Sequence, residues 1–252
     1  MNILITNDDS IHEEGLFVLI EAAKGLGDLY VLAPENHQSG MSTALSVRKS
    51  LYLKEYKLDG VKKAFSVDGT PADAVRTCEA VFKDIKFDLV LSGVNRGANI
   101  SSDIYHSGTI GAVFMGLILE IPGIAVSASY HNLELAKKYL KGLLKTILDY
   151  KMYSKDYALN INFPEEMDEL KVMFAHQGRT QEYPIYLKEG EYLTPNYKRG
   201  RPLLKTSDLY CYYNKIIAIT PLKYDKTDYK TLNEFNDVKV NFEIDLLKHL
   251  NN

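Results

Sequence analysis

The chain is short of cysteine, of long apolar runs and of charge imbalance, and each shortage removes a class of protein. Two cysteines in 252 residues, Cys78 and Cys211, cannot make a disulfide framework and show no metal-ligand spacing. Both read as small buried hydrophobes. The most apolar stretch, Thr109 to Leu119, is too short for a bilayer span, and Glu120 and Pro122 interrupt it before the next apolar run. No signal-peptide pattern opens the sequence, so a reducing cytoplasm is the expected compartment. Lys and Arg number 30 against 33 Asp and Glu, a net charge of −3, which gives no whole-protein field for a nucleic-acid polymer. There is no internal repeat and no low-complexity segment. A P-loop sequence G-x-x-x-x-G-K-[ST] is missing, as is a G-x-S-x-G nucleophile elbow.

What is present is ordinary globular material, 46% hydrophobic and 25% charged, long enough to bury a core without staples. Strand-like runs alternate with helical patterns through the first half. Asn2 to Thr6 (NILIT) predicts a buried strand that stops at Asn7-Asp8-Asp9-Ser10, and Gly15 to Lys24 a helix with Leu16, Leu19, Ile20 and Ala23 on one face. Asp28 to Ala33 predicts the next strand, and Leu51 to Tyr56 with Lys63 to Val67 a hairpin around Asp59-Gly60. Thr70-Pro71-Ala72-Asp73 predicts a capped helix start that buries Val75, Cys78, Val81 and Phe82. Phe87 to Leu91 predicts a third buried strand followed by a polar loop from Ser92 to Ser107. A helix from about Thr109 to Leu119, a strand at Ile124 to Ser127, a helix at Leu133 to Tyr150 and a strand at Ala158 to Asn162 complete the pattern. Such alternation calls for an α/β fold, a mostly parallel sheet with helices on both faces. Beyond Pro164 the pattern turns to strands and hairpins, with a closing helix expected at Asn241 to Leu250. Twelve of the eighteen tyrosines lie at or beyond position 150, as suits a β-rich, solvent-facing or subunit-facing second half.

In open α/β sheets ligands sit beyond the carboxyl ends of the strands, so the polar residues directly after the strands carry the chemistry. Asp8 and Asp9 follow the first strand; adjacent carboxylates repel, and Mg²⁺ or Mn²⁺ is the simplest neutralising partner where no His or Cys adjoins them. A helix N-cap with an exposed neighbour is the bland alternative. In the loop after the second strand, Ser39-Gly40 reads by itself as a turn and His37 as a solvated residue. After the third strand comes Ser92-Gly93-Val94-Asn95-Arg96-Gly97-Ala98-Asn99, and then His106-Ser107-Gly108-Thr109 opens into an apolar helix. A helix N-terminus offers unpaired N–H groups and a positive dipole end to an anion; ordinary capping by Ser107 or Thr109 is the alternative. An acidic pair opposite a phosphate-sized helix N-terminus suggests metal-assisted phosphoryl chemistry.

At these same residues the chain resembles the stationary-phase survival protein SurE family of acid-phosphatase-like nucleotidases. The matching segments, in family order, are Ile3 to Asp9, Leu32 to Gly40, Gly69 to Val75, Leu91 to Thr109, Leu159 to Pro164 and Ile219 to Leu222. The resemblance implies a Rossmann-like catalytic core over residues 1–164 and a smaller β-rich C-terminal part, 165–252, that mediates a homodimer or homotetramer. It implies hydrolysis of nucleoside 5′- or 3′-monophosphates, and of short polyphosphate in some members, with one divalent cation per subunit (Mg²⁺ or Mn²⁺). Its metal ligands fall on Asp8, Asp9, Ser39 and Asn95; of these, Asp8 is the group expected to orient the attacking water or take its proton. Its phosphate-binding residues fall on Asn95, Ser107, Gly108 and Thr109. Ser39 becomes a ligand only through this resemblance.

The departures are Ser10 and Ser101 where the family usually has glycine, His106 where it has tyrosine, and Lys215-Ile216 where it has glycine and tyrosine. Two other classes compete. A receiver-type Mg²⁺-binding signalling domain also places an acidic pair after its first strand, but Ser92 stands where its phosphoacceptor Asp belongs. A catalytically dead nucleotide-binding oligomer would keep the motifs and release no phosphate.

Overall fold

A computed structural model describes residues 1–179, 185–196 and 204–237. Up to residue 222, eleven strands and five helices are defined among them. In chain order they are β1 (Asn2–Thr6), α1 (Glu14–Ala23), β2 (Asp28–Pro34), β3 (Leu53–Tyr56), β4 (Lys63–Val67), α2 (Pro71–Val81), β5 (Leu89–Arg96), α3 (Gly108–Ile118), β6 (Gly123–Ala128), α4 (Glu134–Asp149), β7 (Ala158–Asn162), β8 (Val172–Phe174), β9 (Ile185–Glu189), β10 (Tyr192–Asn196), α5 (Asp208–Tyr213) and β11 (Ile217–Leu222). Nine strands form one sheet in the order β3-β4-β2-β1-β5-β6-β7-β11-β8; β9 and β10 pair separately as an antiparallel hairpin. Only the β3–β4 and β11–β7 pairs of the large sheet are antiparallel.

Alternation along the central strands decides which helices cover which face. Ile3 and Ile5 of β1 pack in one cluster with Leu16 and Leu19 of α1 and Leu140 and Leu144 of α4. Leu4, between them, packs in the other with Val75 and Cys78 of α2 and Val113 of α3. The α/β sandwich expected from the sequence is therefore the one formed.

The Thr70 cap forms as the sequence predicts. Thr70 Oγ1 accepts the Asp73 N–H and Asp73 Oδ2 accepts the Thr70 N–H, each at 3.0 Å. The third strand departs from expectation. Instead of yielding to a loop at Ser92, β5 begins at Leu89 and runs on to Arg96. A register shift between Ser92 and Asn95 lets Asn95 and Arg96 pair with Ser127 and Ala128 of β6. Polar side chains at the end of β5 are therefore held by sheet hydrogen bonds rather than by a loop. A 3₁₀ turn at Ser101–Tyr105 and helix α5 were not anticipated.

Residues 223–252 form a second unit, of which 223–237 are described; 229–237 are helical. The helix expected at Asn241 to Leu250 lies outside the described residues. Among those described, no helix is long and apolar enough to cross a membrane.

Candidate functional site

β1 lies between β2 and β5, so the chain leaves it toward one side and later returns on the other. That reversal opens a crevice at the carboxyl ends of β1 and β5. Into it run the loop after β1, the end of β5 and, beyond the 3₁₀ turn, the N-terminus of α3.

The loop after β1 is held from several directions. Asn7 Nδ2 donates to the Ser10 carbonyl at 2.8 Å, and Asn7 Oδ1 accepts the Ser10 N–H at 3.3 Å. The Gln38 N–H donates to the Asp8 carbonyl at 2.7 Å, which joins this loop to the one after β2. Asp9 Oδ2 accepts the Arg96 N–H at 3.3 Å, which joins it to β5. Thr109 Oγ1 donates to Asp8 Oδ1 at 2.5 Å, which joins it to α3. Gly108 permits that approach, since a Cβ there would lie 2.8 Å from Asp8 Cβ.

Both carboxylates are buried, and among the described residues neither forms a salt bridge with a Lys or Arg side chain. Burial pushes Asp8 up from 3.8 to about 6; the Thr109 hydrogen bond pulls back and the charge of Asp9 pushes further. Burial raises Asp9 as well, against the Arg96 N–H and the nearby His37 ring. Two neighbouring acids that both resist ionisation fit a site completed by a cation. Among the described residues no group of three or more His, Cys, Asp or Glu is placed to hold a metal, so a cation at the acidic pair would take hydroxyl, amide, carbonyl or solvent oxygens besides the two carboxylates. That donor set suits Mg²⁺ or Mn²⁺.

The other predicted residues are placed less uniformly. Ser39 is exposed and reaches the acidic pair through His37: its Oγ lies 2.8 Å from His37 Nε2, while His37 Nδ1 lies 3.1 Å from the Asp9 carbonyl oxygen and 3.5 Å from Asp9 Oδ1. With Nδ1–H donating to the Asp9 carbonyl, Nε2 accepts from the Ser39 hydroxyl. His37 is solvent-exposed, as its loop suggests, and it also bridges Ser39 to Asp9. Asn95 is buried, and its Nδ2 donates to the Gly97 carbonyl at 2.7 Å; it makes no hydrogen bond to either carboxylate. The Nδ2 bond leaves Asn95 Oδ1 as the atom with acceptor capacity.

Ser107 is the N-cap of α3, its Oγ accepting the Ile110 N–H at 3.2 Å, and its carbonyl accepts the Gly111 N–H. The amides of Gly108 and Thr109, first in the helix, then have no intrahelical acceptor and stand at the positive end of the dipole. His106, just outside, is exposed.

Reading the sequence missed a set of buried amides. Asn99 Nδ2 donates to Ser127 Oγ at 2.9 Å and to Thr109 Oγ1 at 3.4 Å. Asn160 and Asn162 of β7 hold the backbone of Asn99. The available signal was two asparagines spaced by two inside an otherwise apolar buried strand, where each needs a partner.

Comparison with known proteins agrees with this geometry. The family described as Survival protein SurE matches residues 3–183. A 5′-nucleotidase SurE of Clostridium botulinum (strain Kyoto / Type A2) is 32% identical over 253 residues, covering 93% of this chain and 97% of that protein. A 5′-nucleotidase SurE of Petrotoga mobilis is 34% identical over 246 residues, with the same coverages. The crystal structure of the Sure protein from Aquifex aeolicus superposes with a TM-score of 0.78 at 32% identity, covering 95% of this chain and all of that one.

Proposed function

This chain belongs to the SurE family and is a nucleotidase, a phosphoric monoester hydrolase; from that premise we propose that it hydrolyses nucleoside 5′- and 3′-monophosphates, and short polyphosphate, with one divalent cation per subunit. The observation that carries the reading is the 2.5 Å contact between Thr109 Oγ1 and Asp8 Oδ1, which joins the buried acidic pair to the N-terminus of α3.

Asp8, Asp9, Ser39 and Asn95 would hold Mg²⁺ or Mn²⁺. When bound, the cation supplies Lewis-acid neutralisation of the phosphate charge. Asp8 orients the attacking water and takes its proton as the new P–O bond forms; the bond to the nucleoside oxygen breaks, and that oxygen leaves as a hydroxyl after taking a proton from solvent. The Gly108 and Thr109 amides donate to the equatorial phosphate oxygens. The Ser107 hydroxyl, whose oxygen already accepts within the helix, has its hydrogen to donate beside them. The assembly expected with this reading is a homodimer or homotetramer in the cytoplasm.

A panel of nucleoside 5′- and 3′-monophosphates and polyphosphates, assayed with Mg²⁺, Mn²⁺ and a chelator, tests it. Phosphate release from monophosphates that stops on chelation and returns with the cation is expected. Release that is indifferent to chelation would reject the metal-dependent reading.

A further inference from the structure

Seven buried polar residues form a continuous chain from β7 to the acidic pair. Asn162 grips the Asn99 peptide from both sides: its Oδ1 accepts the Asn99 N–H at 2.8 Å, and its Nδ2 donates to the Asn99 carbonyl at 3.2 Å. Asn160 Nδ2 donates to the same carbonyl at 2.8 Å. The peptide of Asn99, in the irregular segment after β5, is therefore held to β7 by side-chain amides rather than by backbone pairing. From this fixed point its side-chain amide reaches Ser127 Oγ and Thr109 Oγ1. Thr109 then donates to Asp8 Oδ1, beside Asp9. All seven side chains are buried, with Asn160, Ser127 and Thr109 fully so.

The chemistry of the groups sets the direction of every bond. A primary amide NH₂ only donates, and an ionised carboxylate only accepts. Thr109 has one hydroxyl hydrogen. Because the Asn99 amide donates to the Thr109 oxygen, that hydrogen has Asp8 as its acceptor. An unrestrained threonine hydroxyl would divide its time among acceptors, whereas this one is committed.

We propose that Asn162 is a positioning residue of the nucleotidase site: by clamping the Asn99 peptide to β7 it aims the Asn99 amide at Thr109, and so fixes the hydroxyl that holds Asp8 in its working orientation. Asn162 touches neither substrate nor cation; it acts through Asn99 and Thr109. The inference rests on Asp8 serving the site as described above.

A double-mutant cycle with Thr109→Val separates positioning from general support of the fold. Asn162→Ala alone lowers kcat and weakens Mn²⁺ binding, read by calorimetry without substrate, by about tenfold each, the lower bound for an outer-shell partner. In the Thr109→Val background the link to Asp8 is already cut, and adding Asn162→Ala changes either quantity by less than about twofold. Should Asn162→Ala not fold, Asn162→Asp carries the same cycle: it keeps an acceptor for the Asn99 N–H and puts a carboxylate oxygen in place of the donor that faces the Asn99 carbonyl. Equal losses in both backgrounds, or no loss in the wild-type background, overturn the proposal. A fully active Asp8→Asn would instead remove the premise, so the two failures are told apart.

Discussion

At the scale of single residues the site is governed by the burial of like charges. Asp8 titrates near 6 when folded against 3.8 in its ordinary state, so between those values the folded chain binds a proton that the unfolded chain has released. The metal-free protein is therefore most favoured, as far as Asp8 is concerned, below the lower value. It loses that stability as the pH rises through the upper one. Asp9 is shifted in the same direction. Denaturant melts in the presence of chelator should show Asp8→Asn gaining on wild type by on the order of 1–3 kcal/mol between about pH 4 and about pH 7.5. Added Mn²⁺ should stabilise wild type and do little for the variant. A difference that shrinks as the pH rises contradicts the burial argument. Three of the departures from the family pattern also meet at this scale. Ser10, Ser101 and Lys215 have φ of 120°, 57° and 61°, so each stands where glycine would be unstrained. The sequence carried the substitutions, and their backbone cost shows only in the fold.

At the scale of elements, caps do more than end helices. Asp73 closes the capping box of α2 and also accepts the Ser46 N–H at 3.0 Å, while Thr70 Oγ1 donates to the Ala44 carbonyl at 2.6 Å. The Ser42 N–H donates to the His106 carbonyl beside the start of α3, and Gly111 leaves room for the Ser42 carbonyl, which would lie 1.8 Å from a Cβ there. The segment that follows Ser39 is thus tied to the starts of both helices. Asp73→Ala should cost about 1–2 kcal/mol in thermal stability. It should also weaken Mn²⁺ binding several-fold, because the chain that presents Ser39 loses its anchor. Unchanged metal affinity with the stability loss intact would confine Asp73 to capping.

The same scale explains what could be read from the sequence. Apolar period and cap chemistry act locally, and they place β1, α2 and β7 almost to the residue. The extension of β5 to Arg96 depends on its partner Ser127-Ala128 some thirty positions away and on a register shift, neither of which leaves a local trace. The joining of Asn99 to β7 is a tertiary event of the same kind.

For the whole molecule, the crossover that sets β1 between β2 and β5 brings remote segments to one crevice, so residues as far apart as Asp8 and Thr109 share a hydrogen. The acidic pair and the start of α3 were legible because each carries a recognisable local chemistry. His37, Asn160 and Asn162 were not, because their roles exist only once those segments meet. β11 enters the large sheet between β7 and β8, so the last stretch of the main unit closes the sheet beside the strand that clamps Asn99.

The claim at the centre of the account is that the buried carboxylate of Asp8 works with the N-terminus of α3 on a phosphate monoester. Phosphate release from a nucleoside 5′-monophosphate with Mn²⁺ present, compared between wild type and an Asp8→Asn variant shown to be folded, measures it most directly. The account predicts turnover by the wild type and none above background by the variant; wild-type turnover by Asp8→Asn would contradict it.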